Sequence, residues 1–294
     1  MKVISFGDSF TQGLGVDRIA EQKFFDDNPG DKKEARKLHR AFTHSLSFTK
    51  LFADKLGAEW ENSGESGCNN RRILSNAFDS FSQGKYEKGD LAIVTFTSTL
   101  RDKLPFTPEL YDKQWAGVTW SINELVDLFR DYGTLDKYKK NADISLLQGL
   151  EVNDKNSTFS YFYRDWVKFF VTDMFEFRYL DFFNLNAILM LQKFFEFIEV
   201  DYIFVDAFEL SFNNSTYDKT EFINKEKYWR FGEHSIFSYL QTFEDRELYE
   251  AEGFNIPSEH IPLHPSAAGH KLFTEDLYKF YIKNKKDNEK KVLL

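Results

Sequence analysis

Short apolar runs alternate along this chain with segments whose apolar residues return every three or four positions. That alternation predicts an α/β chain. Val3-Ile4-Ser5-Phe6 reads as a buried strand. Residues 58–61 form a short strand, and 91–96 is an apolar, β-branched run after the Gly89-Asp90 turn. A fourth strand falls at 202–205. Leu46, Phe48, Leu51, Phe52 and Leu56 have helical spacing over 44–56, with Gly57 as the stop. Further helices are predicted over 69–81, 115–132, 184–198, near 235–243, and over 267–283. Strand, helix, strand, helix, strand at this spacing implies parallel pairing through right-handed crossovers. Residues 17–43 are polar and charged around the turn at 26–33, and read as a surface excursion.

The pattern pauses between 103 and 180, where no strand is evident. Residues 136–154 read as loop, and 159–183 carries twelve aromatics in twenty-five positions. Trp166, Phe169, Phe170 and Asp173 share a helical face there, which favours packed helix over a ligand box. Beside a site, such an insertion could serve as a lid or a sugar platform. The expected organisation is one α/β domain over 1–284, with a largely helical insertion at about 103–180 and a charged, frayed tail at 285–294.

Composition narrows the function. Of 294 residues 42% are hydrophobic, enough for a sizeable core, and 33 phenylalanines make much of that core aromatic. A net charge of −9 argues against nucleic-acid binding by phosphate neutralisation and against docking on anionic membrane. The one cysteine, Cys68, excludes an internal disulfide and a multi-cysteine metal site. Lys2 is followed by no apolar segment of signal-peptide length, and no run reaches the roughly 18–20 residues of a membrane span. The expectation is a soluble cytoplasmic protein, and a virion component fits the same facts. The oligomeric state is left open.

The candidate chemistry sits in Gly7-Asp8-Ser9-Phe10-Thr11-Gln12-Gly13, straight after the first strand. Gly7 permits a tight turn, Asp8 can hold nearby amides, and Ser9 falls where a helix starts, with free N–H groups facing a developing oxyanion. Three more segments reach the same sheet edge: 62–67, 95–102 and His264-Pro265. Pro262 and Pro265 argue against a helix presenting His260 and His264 as a metal pair. His270 reads as a packing or capping residue, and Cys68 as a small apolar filler.

These segments together resemble the GDSL-type, or SGNH, serine hydrolases. The resemblance rests on Gly7-Asp8-Ser9, on Asn62-Ser63-Gly64-Glu65-Ser66-Gly67, and on His264-Pro265-Ser266-Ala267-Ala268-Gly269-His270. It covers about 1–100 and 184–283 and leaves the insertion outside. It implies a three-layer α/β/α fold with a flavodoxin-like parallel sheet. Ser9 is then the nucleophile, His264 the base, and Gly67 a backbone oxyanion donor.

Two departures stand out. The family's third block carries an oxyanion Asn, whereas this chain reads Thr95-Phe96-Thr97-Ser98-Thr99-Leu100-Arg101-Asp102. Thr97 or Ser98 falls near that place as a hydroxyl donor, and Arg101 either compensates as a cation or forms a surface ion pair. The family also places an Asp three residues before the histidine, where this chain has Ile261. Either Glu259 or a backbone carbonyl would then orient the imidazole. Asp8 and Asn69 are supporting candidates. The implied activity is hydrolysis of an ester of a lipid, a short acyl group or an acetylated sugar, through an acyl-enzyme and without metal or organic cofactor; the aromatic insertion and the acidic net charge tilt the choice toward O-acetyl carbohydrate. The implied partner is a small-molecule or glycan ester, with no nucleic acid and no membrane. The two departures also admit an inactive binding or structural protein on the same fold, and a lidded site admits an acyltransferase.

Overall fold

Four strands, β1 (Lys2–Phe6), β2 (Glu59–Asn62), β3 (Leu91–Phe96) and β4 (Asp201–Asp206), pair in parallel in the order β2-β1-β3-β4. The structure is a computed structural model that describes residues 1–27, 32–84, 86–97, 177–208, 218–248 and 264–292. The chain divides into two compact units, Met1–Ser98 with Asn184–Leu294, and Thr99–Phe183. The first unit holds the sheet. The insertion expected at 103–180 lies, up to residue 176, outside the described residues.

Alternation along the strands divides the core in two. Ile4, Phe6, Ala92, Val94, Phe96, Tyr202 and Phe204 face one cluster, built with Ile73 and Ala77 of α5 (Asn70–Ser82) and with Leu185, Leu191 and Phe195 of α6 (Phe177–Phe197). Val3, Leu91, Ile93, Ile203 and Val205 face the other, built with Phe48 and Phe52 of α4 (Phe48–Leu56) and with Phe273, Leu277 and Tyr281 of α8 (Ala267–Val292). Helices therefore cover both faces, giving the expected three-layer α/β/α arrangement. The strand order is that of flavodoxin-like sheets over these four strands. Its direction reverses between β1 and β3, so the residues after them, Gly7 and Thr97, flank the crevice where such sheets bind ligands.

Three stretches differ from the sequence reading. The excursion at 17–43 contains α2 (Arg18–Asp26) and most of α3 (Lys32–Leu46), both rich in charge. The helix expected over 44–56 is broken at Ser47. Its hydroxyl donates to His44 O at 2.8 Å and accepts from Lys50 N–H, closing α3 and opening α4. The tail expected to fray over 285–294 continues α8 to Val292. One more helix, α7 (Ile236–Gln241), starts in a capping box at Ser235. Among the described residues no helix is long and apolar enough to cross a membrane.

His270 caps α4 from within the core. Its Nδ1 accepts from Phe48 N–H at 3.2 Å, and burial holds its pKa down at about 3. His44 is lowered to about 4, by burial first and then by the charge of Arg40. Both folded values lie below the ordinary value of 6.5. The unfolded chain therefore binds more protons once pH falls below 6.5, and the stability each neutral ring supports is full above that pH and lost beneath it. His270→Gln is expected to lower the thermal midpoint at pH 7. It should also remove about 1 kcal/mol per pH unit of acid sensitivity between pH 6 and 4. Urea titrations of both proteins across that range check this. Parallel pH slopes would refute it.

Candidate active site

The turn after β1 is shaped by what Gly7 lacks. A Cβ there would lie 2.0 Å from Thr11 Oγ1 and 2.9 Å from Thr95 Cβ, so only glycine lets the next helix sit against the end of β3. Asp8 is extended and fully buried. Its Oδ1 accepts from Phe10 N–H at 3.0 Å, capping α1 (Ser9–Gln12). Its Oδ2 accepts from the Thr97 hydroxyl at 2.7 Å. Ser9 is thereby fixed as the first helical residue. The helix is a single turn, so it supplies amide groups and little macrodipole.

His264 reaches this turn from the far end of the chain. Just beyond it, Ala267 N–H donates to Val16 O at 3.2 Å and Ser266 N–H to Leu248 O at 3.0 Å. The first of these bonds docks the start of α8 against the segment that follows α1 (Ser9–Gln12). His264 Nε2 lies 2.9 Å from Ser9 Oγ. Its ring packs near Phe10 and Phe208, with centroids 5.5 and 6.3 Å away. The two aromatic rings limit how far the imidazole can swing.

The loop after β2 is pinned over the same turn. Asn62 Nδ2 donates to Thr11 O and Asn62 Oδ1 accepts from Gly64 N–H, each at 2.7 Å. Glu65 N–H donates to Gly7 O at 3.0 Å, and Ser66 N–H to Gln12 Oε1 at 2.7 Å. Cys68 N–H turns back to Glu65 O at 3.2 Å. In this run of five amides, 64 to 68, Gly67 N–H alone has no acceptor among the described residues. Gly67 takes φ 79°, a left-handed geometry that favours glycine. Ser9 N–H is likewise without an acceptor among the described residues, the Asp8 carboxylate taking Phe10 N–H instead. The loop and the Ser9 turn thus each keep one donor unspent among the described residues.

The remaining candidates resolve unevenly. Thr97 is close to the site but is not an oxyanion donor: its one hydroxyl proton goes to Asp8. Asn69 caps α5, accepting from Arg72 N–H at 2.9 Å. Cys68 is buried, and its thiol is pushed up to about 12, chiefly by burial and then by the charge of Glu65, so it stays a neutral filler. Ser98, Arg101 and Glu259 lie outside the described residues.

The sequence reading missed Gln12 and Asn70. Gln12 sits inside the 7–13 heptapeptide, which is its one signal in the sequence; its burial shows only in the fold. Asn70 follows Asn69 at the start of α5. Its Oδ1 accepts from Thr97 N–H at 2.8 Å, and its Nδ2 donates to Thr97 O at 3.0 Å and Asn184 Oδ1 at 3.1 Å.

No family model matches the chain, and no curated protein matches it. Among solved structures, a proposed lipolytic protein of the G-D-S-L family from Desulfitobacterium hafniense DCB-2 aligns with it. The alignment covers 95% of this chain and 98% of that one, at 14% identity and a TM-score of 0.33. The functional reading therefore rests on this chain's own geometry.

Proposed function

We propose that this chain is a serine esterase that cleaves an acyl ester, with O-acetylated carbohydrate as the substrate class, through a covalent ester on Ser9. The observation that carries this reading is the 2.9 Å approach of His264 Nε2 to Ser9 Oγ at the switch point of the sheet. His264 takes the Ser9 proton as Oγ bonds to the acyl carbon. The carbonyl electrons move onto oxygen, and the unspent N–H groups of Ser9 and Gly67 are the donors for that oxyanion. The C–O bond then breaks, and His264 passes its proton to the leaving alcohol. Water enters, gives a proton to His264 and attacks the acyl carbon. The acid leaves as Ser9 regains its hydrogen. The cycle uses side chains, backbone amides and water alone. The aromatic-rich stretch at 159–183 and the net charge of −9 favour a sugar ester over a lipid surface.

A fluorophosphonate probe tests the nucleophile without knowledge of the substrate. One adduct is expected, on the peptide holding Ser9, followed by deacetylation of an acetylated glucoside by unlabelled protein. No adduct after long exposure of folded protein would overturn the esterase and move the reading to a binding protein.

A further inference from the structure

The Asp8 side chain is wholly buried one residue before Ser9, and one of its oxygens accepts a hydroxyl from another strand end. Thr97 follows β3, eighty-nine residues away in sequence. Its own backbone is gripped on both sides, since the Asn70 carboxamide accepts from its N–H and donates to its C=O. Asn70 is in turn held by Asn184 on α6. Thr97 is 1% exposed, Asn70 7% and Asn184 9%, so water competes little for these bonds. A carboxamide that satisfies both polar groups of one residue fixes that residue's position and rotation. The Thr97 hydroxyl is therefore aimed, and Asp8 Oδ2 is its acceptor. With Oδ2 held, Oδ1 is placed on Phe10 N–H, and the first turn of α1 is set.

We propose that Thr97 is a positioning residue for the Ser9 nucleophile, with Asn70 as the clamp that aims it. The inference rests on the serine-esterase reading and adds a task for the strand end at which the resembling family carries an oxyanion Asn. Thr97 acts on Ser9 through Asp8 and touches no reacting atom. Without its hydroxyl, Asp8 Oδ2 loses a charge-assisted partner inside the protein, and the carboxylate can rotate away from Phe10 N–H. Ser9 Oγ would then sample positions outside reach of His264 Nε2.

The test is saturable inactivation by the fluorophosphonate probe, which separates the maximal labelling rate from the half-saturating concentration. Thr97→Val and Thr97→Ala are expected to lower the maximal rate about 10- to 100-fold, the worth of one hydrogen bond to a charged group. The half-saturating concentration should stay within about twofold, because bound probe does not touch Thr97. Thr97→Ser keeps the hydroxyl and should label near the wild-type rate. The Ser and Ala variants differ by that one oxygen, so the pair decides the matter even if Val at this place prevents folding. Wild-type labelling rates in the Ala variant, or an equal fall in the Ser variant, would overturn the inference while leaving the esterase intact. Failure of the wild-type protein itself to label would overturn both.

Discussion

His264→Ala is expected to lower ester turnover about 10⁶-fold, and Ser9→Ala by about as much. A serine hydroxyl is almost wholly protonated at neutral pH, so its attack needs a base within hydrogen-bond reach. In the proposed cycle His264 Nε2, 2.9 Å from Ser9 Oγ, is that base and also returns the proton to the leaving alcohol. Removing either residue removes the same step, so the two losses should not add. The double variant should match either single variant within a few-fold, with the residue of catalysis coming from the two backbone donors. His264→Ala also deletes ring contacts with Phe10 and Phe208, so His264→Gln, which fills more of that space, is the stability control. Single-turnover hydrolysis of a p-nitrophenyl ester, at temperatures where all variants remain folded, provides the measurement. Retention of more than about 1% of wild-type rate by His264→Gln would mean that Ser9 and His264 do not act as one unit.

The sheet and the Ser9–His264 approach were legible because each is written locally. Leu91–Phe96 is apolar throughout save Thr95, and all six residues are buried between two helical layers. Ser9 follows the first strand, and His264 precedes a helix that periodicity marks plainly. The break at Ser47 was hidden because the apolar spacing of Leu46, Phe48, Leu51 and Phe52 runs through it unchanged. What stops the helix is one hydroxyl bonding in both directions, and spacing carries no trace of that. Helices α2 and α3 were masked by their charge, although Ala35, Leu38, Phe42 and Leu46 recur at helical spacing in α3. The supporting network was illegible for another reason. Asn70 meets Thr97 across 27 residues, Gln12 meets Ser66 across 54, and Asp8 meets Thr97 across 89. Such pairs exist only once the sheet order is known. Thr97 shows the cost of reading by chain position alone, since its place suggested an oxyanion donor and its proton is used elsewhere.

Gly64→Ala should damage the site more than the fold. Gly64 needs no left-handed backbone; it needs the space that a side chain would fill. A Cβ would lie 2.6 Å from Gln12 N, 2.8 Å from Thr11 C and 2.9 Å from Asn62 Oδ1. The first two are backbone atoms of the Ser9 turn, which Asp8 and Thr97 hold from the other side. The loop must therefore be the part that moves. Its displacement breaks the 2.7 Å bond from Gly64 N–H to Asn62 and shifts Gly67 N–H, the proposed oxyanion donor of the same loop. Overpacking of this kind costs about 1–3 kcal/mol of stability. Loss of one oxyanion donor lowers turnover about 10²–10³-fold, with KM little changed because the donor acts on the transition state. Gly57→Ala is the matched control. Gly57 ends α4 at φ 61° with no atom within 4 Å of an added Cβ, so alanine there strains the backbone by about 1 kcal/mol and touches nothing. The Gly57 variant should lose stability and keep its turnover, whereas the Gly64 variant should lose both. If the two variants lose turnover alike, the effect of Gly64 is general destabilisation, and the loop has no oxyanion role.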